Sequence, residues 1–270
     1  MSDTPSRSLG RKANRPTLKP RELMTPTPDL HGVWKAKVIT LFPQAFPGVL
    51  GHSLTGKALQ EGLWQLEPID LRPFGVGKHR NVDDTPAGGG AGMVLRADVL
   101  GNAIDHAMAG TSDNWPLIYL SPRGMPMTQA LAQNLARADG VTLLCGRFEG
   151  VDERVLQHYR ILEVSLGDFV MTGGEIAAQA LIDATVRLLP GVLGNAASAE
   201  EESFSSGLLE HPQYTRPADW RGHTIPDVLM SGHHGRIQDW RRDTSEAITR
   251  ARRPDLWAAH QAAQDSKDKT

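Results

Sequence analysis

Apolar and polar positions alternate through Val33-Trp34-Lys35-Ala36-Lys37-Val38-Ile39-Thr40-Leu41-Phe42, which predicts a strand. Leu54 to Leu63 has short helical spacing, and Trp64 to Leu71 alternates again. Ala97 to Met108 places Val99, Leu100, Ala103, Ile104 and Ala107 on one helical face. Leu117-Ile118-Tyr119-Leu120 and Val141-Thr142-Leu143-Leu144-Cys145 are unbroken apolar runs of the kind found in parallel strands covered on both faces. Gln129 to Ala138 between them predicts a crossover helix, and a further helix is predicted from Glu175 to Leu189, stopped by Pro190 and Gly191. Strands alternating with helices predict an α/β fold with a mainly parallel sheet over residues 33–189. Residues 190–217 lack periodicity and read as a linker. Ile225 to His260 reads as a helical unit, giving a small C-terminal domain over 218–270.

Composition changes the picture mainly at the N-terminus. Residues 1–32 hold five prolines and six basic residues with almost no apolar periodicity, so they are expected to form a disordered tail. They lack the apolar core of a secretory signal. Asp3, Glu22, Asp29 and the prolines argue against a transit peptide. The chain has 270 residues and a net charge of −2, which neither demands nor excludes an RNA partner, since a binder needs only a local basic surface. Its single cysteine, Cys145, lies in an apolar run and is expected to be a buried, inert thiol in a reducing compartment. No stretch approaches the ~18 apolar residues of a membrane span, so a soluble, cytoplasmic protein is expected.

Three segments concentrate glycine beside polar residues: Ser121-Pro122-Arg123-Gly124, Gly146 to Val155, and Ser165 to Glu175. The first two follow directly on predicted strands, where loops of an open α/β sheet form the ligand crevice. Glycine there lets a ligand approach the backbone. One such loop could merely turn the chain, but three in one domain predict a small-molecule site. No P-loop string, no G-x-G-x-x-G across a strand-to-helix turn, no C-x-x-C pair and no H-E-x-x-H is present, which removes nucleotide-phosphate, dinucleotide and zinc readings. Local chemistry thus predicts a pocket without naming its ligand.

Seven strings carry the reading further: Gly88-Gly89-Gly90-Ala91-Gly92-Met93, Leu120 to Gly124, Gly146 to Arg154, Ser165 to Phe169, Gly173-Gly174-Glu175, Pro190 to Gly194, and Tyr214-Thr215-Arg216-Pro217. In this order they resemble the bacterial tRNA (guanine-N1)-methyltransferase family TrmD, of the SPOUT class, from about Lys37 to about Leu256. The resemblance implies a C-terminal trefoil knot in the α/β domain, an arrangement too rare for periodicity to suggest. It implies S-adenosylmethionine (SAM) as methyl donor, held mostly through backbone by Tyr119, Leu120, Ser121, Pro122 and Gly124; by Gly146, Phe148, Glu149 and Gly150; and by Ser165, Leu166, Gly167, Asp168, Phe169, Val170, Met171, Gly173 and Gly174. It implies a two-fold homodimer whose active site spans the interface. The expected target is N1 of the guanine 3′ of the anticodon, at tRNA position 37.

By the same resemblance Glu202 is the general base and Arg187 the stabiliser of the developing O6 charge. Better-known members carry aspartate at the position of Glu202, so Glu200 and Glu201 compete for the role. Read without the family, Arg187 four residues after Asp183 would be a helix-surface ion pair, and Glu200-Glu201-Glu202 a solvated acidic run. Glu149 and Asp152-Glu153-Arg154 would cap the helix after Gly150. The family's magnesium requirement makes Glu149 a candidate ligand for Mg2+. His79, Arg80, Asp83, Gly92, Arg147, Arg154, His233 and His234 are the expected tRNA contacts; His233 stands where the family usually has asparagine. Arg236, Arg241, Arg242, Arg250, Arg252 and Arg253 exceed the three acids among them, so the C-terminal helices are expected to meet phosphate. Trp240 is expected in the core rather than as a stacking platform. The competing expectations are a SPOUT enzyme of different RNA specificity, acting on ribose or another RNA, and a noncatalytic RNA-binding relative.

Overall fold

The computed structural model describes residues 32–193, 202–204 and 207–267. The expected tail, up to residue 31, and the candidate bases Glu200 and Glu201 lie outside the described residues. Among the described residues nine strands and eight α-helices follow one another. They are β1 (Trp34–Thr40), α1 (Ser53–Gln60), β2 (Trp64–Asp70), β3 (Asp83–Asp84), β4 (Val94–Leu95), α2 (Ala97–Met108), β5 (Leu117–Pro126), α3 (Gln129–Ala136) and β6 (Gly140–Cys145). After these come α4 (Glu153–Tyr159), β7 (Leu162–Ser165), α5 (Glu175–Val186), β8 (Asp219–Trp220), β9 (His223–Thr224), α6 (Asp227–Met230), α7 (His234–Arg252) and α8 (Pro254–Lys267).

Five strands form a sheet in the order β2-β1-β6-β5-β7, with every neighbouring pair parallel. The predicted α/β class and parallel sheet are therefore observed. All six residues of β6 are buried because the strand is central and covered on both faces. Val141, Leu143 and Cys145 point into one core with Ala178, Leu181 and Ile182 of α5 and Leu135 of α3. Leu144 points into the other, with Val99, Leu100 and Ile104 of α2 and Val155 and Leu156 of α4. Thr142 is a hydroxyl in this dry layer, and it accepts the indole N–H of Trp115 at 3.0 Å.

Two features escaped the periodicity. Strand β7 has only four residues, too few to show a period before the glycine segment begins. Its pairing with β5 opens the sheet: both Leu120 and Met125 register with Val164, so Ser121 to Gly124 leave the ladder as a projecting loop. Gly124 sits with its Cα against the backbone of Glu163 and Val164, where any Cβ would collide. The second feature is the β8–β9 hairpin ahead of the C-terminal helices. Arg221 and Gly222 turn it with φ of 58° and 82°, the geometry of a two-residue type I′ loop. Asp152 accepts the Arg154 N–H at 3.0 Å and caps α4, as the acidic string predicted.

Burial in β6 and the nearby Glu175 carboxyl push the Cys145 thiol well above its ordinary value. Native protein should therefore resist thiol alkylation at neutral pH and react stoichiometrically once denatured. Rapid labelling of the folded protein, followed by mass spectrometry, would contradict the packing described here.

Candidate active site

The loop that projects from within β5 and the loops that leave the carboxyl ends of β6 and β7 line a cavity of about 380 Å³, within the range of small-molecule sites. Its walls are residues 119–123, 146–151, 164–167 and 169–174, with Ala177 at the first turn of α5. Every expected donor-binding residue lines it except Gly124 and Asp168. Gly124 instead backs onto β7, where its missing side chain lets the loop return to the ladder. Asp168 belongs to the turn beside the cavity without facing it. Arg123, Arg147 and Thr172, which fall within the three expected segments, also line it, and Val151 and Val164, which fall outside them, complete the wall. Tyr119 is 6 % exposed, and burial raises its phenol pKa. Its ring fills the space that a Cβ at Gly146 would need. The Ser165 hydroxyl donates to the Gly167 carbonyl at 3.0 Å and accepts its N–H at 3.1 Å, which fixes the turn beneath the cavity.

A buried ion pair holds two of these loops together. Glu175, the first residue of α5, is 4 % exposed and accepts the Thr40 hydroxyl at 2.7 Å. The Arg147 Nη2 approaches its Oε2 to 2.8 Å, while the Arg147 Nε donates to its Oε1 at 3.3 Å. The same guanidinium donates to the Thr172 carbonyl at 3.2 Å and lies 4.3 Å from the Phe42 ring centroid. A side chain at Gly173 would strike Arg147, and one at Gly174 would meet the Cys145 backbone. The Gly174 N–H also donates to the Gly146 carbonyl at 3.1 Å. Arg147, expected as an RNA contact, is thus committed inside the chain as a strut between the 146–150 and 172–175 segments. Glu175 was read only as part of a motif, since twenty-eight residues separate the pair and no local pattern links them.

Arg187 follows the last turn of α5, and its guanidinium grips Glu202 with two parallel hydrogen bonds of 2.6 and 2.5 Å. Its close ion pair is with Glu202 rather than with Asp183 of the helix-surface reading, which acts on it only as a nearby charge. The guanidinium lowers the Glu202 pKa, and the carboxylate raises that of Arg187, against opposing desolvation in both cases. Sequence reasoning therefore brought the two expected catalytic groups together. Neither lines the cavity of its own chain.

The sequence profile of tRNA (Guanine-1)-methyltransferase TrmD matches residues 34–259. The chain belongs to this family. A relative from Ruegeria pomeroyi, named tRNA (guanine-N(1)-)-methyltransferase, is 82 % identical over 242 residues, covering 90 % of this chain and 100 % of the relative. A relative of the same name from Roseobacter denitrificans is 70 % identical, covering 86 % and 96 % of the two chains. One from Mesorhizobium japonicum is 59 % identical, covering 85 % and 99 %.

In this TrmD-family chain the expected RNA contacts fall into two groups. The glycine loop after β3 docks on the β6 loop, with the Glu149 N–H donating to Met93 at 2.9 Å and the Leu95 N–H to Gly150 at 2.9 Å. Gly92 therefore lies against the β6 loop, where its missing side chain leaves room for Glu149, and Asp83 pairs with Leu95 across β3 and β4; neither lines the cavity. His79 and Arg80 are exposed on the preceding turn, closed by the Val76–Asn81 bridge. Arg154 is exposed and pairs with Asp152 at 2.6 Å. His233 and His234 form the exposed start of α7, apart from the cavity lining. Trp240, expected in the core, is half-buried and packs edge-on against His211 and Tyr214 at 6.2 and 6.1 Å, outside both buried cores. Among the described residues no three metal-ligating side chains cluster. Glu149 offers a single carboxylate, too little for an all-protein Mg2+ site, although Mg2+ commonly shares one or two carboxylates with substrate oxygens.

Replacing Glu175 by alanine should cost about 2 kcal/mol of stability by removing the buried carboxylate that pairs with the half-buried Arg147 guanidinium and accepts the Thr40 hydroxyl. A urea titration reads that loss, and calorimetry should show weakened SAM binding alongside it. Gln at the same position keeps an acceptor for Thr40 and should lose less. An unchanged urea midpoint for Glu175→Ala would remove the brace from the account.

Proposed function

We propose that this protein transfers the methyl group of SAM to N1 of guanine 37 of tRNA, and that it does so as a cytoplasmic homodimer. One observation carries the reading: a glycine-shaped donor cavity and a bidentate arginine–carboxylate pair stand in one TrmD-family chain, yet apart from each other. The cavity suits SAM because its loops bring backbone groups to the ligand, and side chains at Gly146 or Gly173 would fill or distort it. Bound there, SAM supplies an electrophilic methyl on a sulfonium sulfur. The trefoil threading expected of the family would wrap the 165–174 segment around that donor. Magnesium enters no step below, since Glu149 alone does not define its place.

Guanine N1 becomes nucleophilic when its proton leaves. Glu202 accepts that proton, and Arg187 stabilises the negative charge that grows on O6. Nitrogen then forms its bond to the methyl carbon as the carbon–sulfur bond breaks, leaving a neutral thioether, methylated guanine and a protonated Glu202. In the free chain Arg187 occupies the carboxylate. Insertion of guanine would replace that contact with N1–H on Glu202 and O6 on Arg187, and separation from the guanidinium would raise the basicity of Glu202 when it is needed.

The dimer reading is supported by the separation of pair and cavity and by exposed apolar side chains near both. Val170 is 86 % exposed, Ile176 66 % and Val49 65 %, and Val49 lies beside α5 through its N–H to Gln179. A partner copy seated there would bury this face and could bring its own Arg187 and Glu202 to the donor.

Labelled SAM and tRNA variants, followed by nucleoside mapping, test the specificity: label on N1 of guanine 37 is expected, while label elsewhere or none points to the competing readings. Glu202→Gln should slow turnover by about 100-fold or more with SAM affinity little changed. Retained turnover would move the base to another carboxylate. Ile176→Asp should yield monomers in sedimentation and abolish methyl transfer; active monomers would refute the composite site.

A further inference from the structure

The structure also shows how the backbone around Glu202 is held, and the holder is far away in sequence. Thr249 is the one buried residue of the nineteen-residue helix α7, with no measurable exposure. A threonine within a helix commonly turns its hydroxyl back to the carbonyl one turn earlier. Thr249 does so, donating to Ser245 at 2.7 Å. Its oxygen then remains free to accept, and it takes the N–H of Leu209 at 2.8 Å, forty residues earlier in the chain. The next amide, that of Glu210, donates to the hydroxyl of Ser203 at 3.0 Å. The Phe204 N–H donates to the Leu208 carbonyl at 2.8 Å.

Three hydrogen bonds thus run without a gap from the residue beside Glu202 to the interior of α7. Leu208 and His211 are buried on either side of the tethered amides. His211 and Tyr214 meet Trp240, nine residues before Thr249 or about 13 Å along the helix axis. The strap 208–214 is therefore fastened to α7 at two places and runs antiparallel to it. On its other side Glu202 is gripped by Arg187 from the end of α5. The carboxylate is suspended between the sheet's last helix and the long C-terminal helix.

We infer that Thr249 is a positioning residue for methyl transfer: its hydroxyl fixes the strap on α7 and so sets where Glu202 stands. This inference rests on Glu202 being the base. It also gives α7 a second task beside RNA contact, because an RNA that docks on this helix engages the same rigid element that holds the carboxylate. Only a second hydroxyl can take its place. Valine has the same shape but neither accepts the Leu209 N–H nor donates to Ser245, whereas serine keeps both bonds.

The test uses the full-length protein with tRNA and labelled SAM under single-turnover conditions. Thr249→Val should lower the methyl-transfer rate by about 10-fold or more, the penalty for misplacing a reacting group from a distance. Its Kd for SAM and KM for tRNA should stay within about two-fold of wild type, a split that general loss of folding does not produce. Thr249→Ser should restore the rate. Ser203→Ala, on the partly exposed strap, removes the neighbouring bond and should slow transfer by a smaller factor. A wild-type rate in Thr249→Val, an equal loss in Thr249→Ser, or a loss confined to KM would each overturn the inference. If Thr249→Val does not fold, Ser203→Ala decides, and an unchanged rate there overturns it. Glu202→Gln separates this idea from the one beneath it. An inactive Glu202→Gln beside a fully active Thr249→Val leaves the base in place and removes the tether, whereas an active Glu202→Gln removes both.

Discussion

The Arg147–Glu175 ion pair is the constraint on which the donor cavity depends. Two charged groups in a nearly dry setting are tolerable only when each is well bonded, because their desolvation otherwise exceeds their attraction. Here the Thr40 hydroxyl donates to Glu175 Oε1, the Thr172 carbonyl and the Phe42 ring meet the guanidinium, and among the described residues Glu175 Oε2 is faced by Arg147 Nη2 alone. The pair fastens the β6 loop to the start of α5, and the bare backbones of Gly173 and Gly174 let the segments come that close. The glycines that in sequence looked like turns are, in the fold, mostly clearance for this contact and for the Tyr119 ring.

The second half of the chemistry is built on different ground. The donor walls are loops of the sheet, stiffened by central strands, whereas Glu202 lies on a strap between α5 and the C-terminal helices. In the proposed roles, such a division would let the donor site be complete before RNA arrives, while the base would depend on elements that RNA itself is expected to touch. The proposed twin-subunit arrangement adds a further dependence, because a base from one copy would then meet a donor from the other. Placement rather than strong acid–base groups would carry much of the rate.

Much of this was readable from residues alone. The buried runs of β5 and β6 and the helical faces of α2 and α5 follow from periodicities that burial imposes, and the structure shows them, although α5 ends at Val186, three residues short of the expected Leu189. The glycine strings marked the cavity, and the family resemblance singled out Arg187 and Glu202, which the structure shows in contact. What escaped were contacts between residues distant in sequence and unremarkable in themselves. Glu175 looked like an ordinary first residue of a helix, Thr249 like an ordinary polar residue within one, and β7 was too short to show a period. The β8–β9 hairpin carried a local signal, Arg-Gly between short flanks, but the helical pattern beyond it drew the reading past it. Gly124 shows the converse: a glycine inside a binding motif whose work is to let two strands close.

The resting Arg187–Glu202 fork has a consequence for base selection. A carboxylate beside a guanidinium is an acceptor next to a donor, and only a nucleobase edge with the opposite order can divide the two without loss. Guanine offers N1–H beside O6 and fits. Adenine presents a lone pair at N1 and an amino group at C6, so it would face each partner with its own polarity. In the proposed role the fork is thus a lock with a chemical key: an adenine swung into place would leave it shut, and the carboxylate would stay quenched.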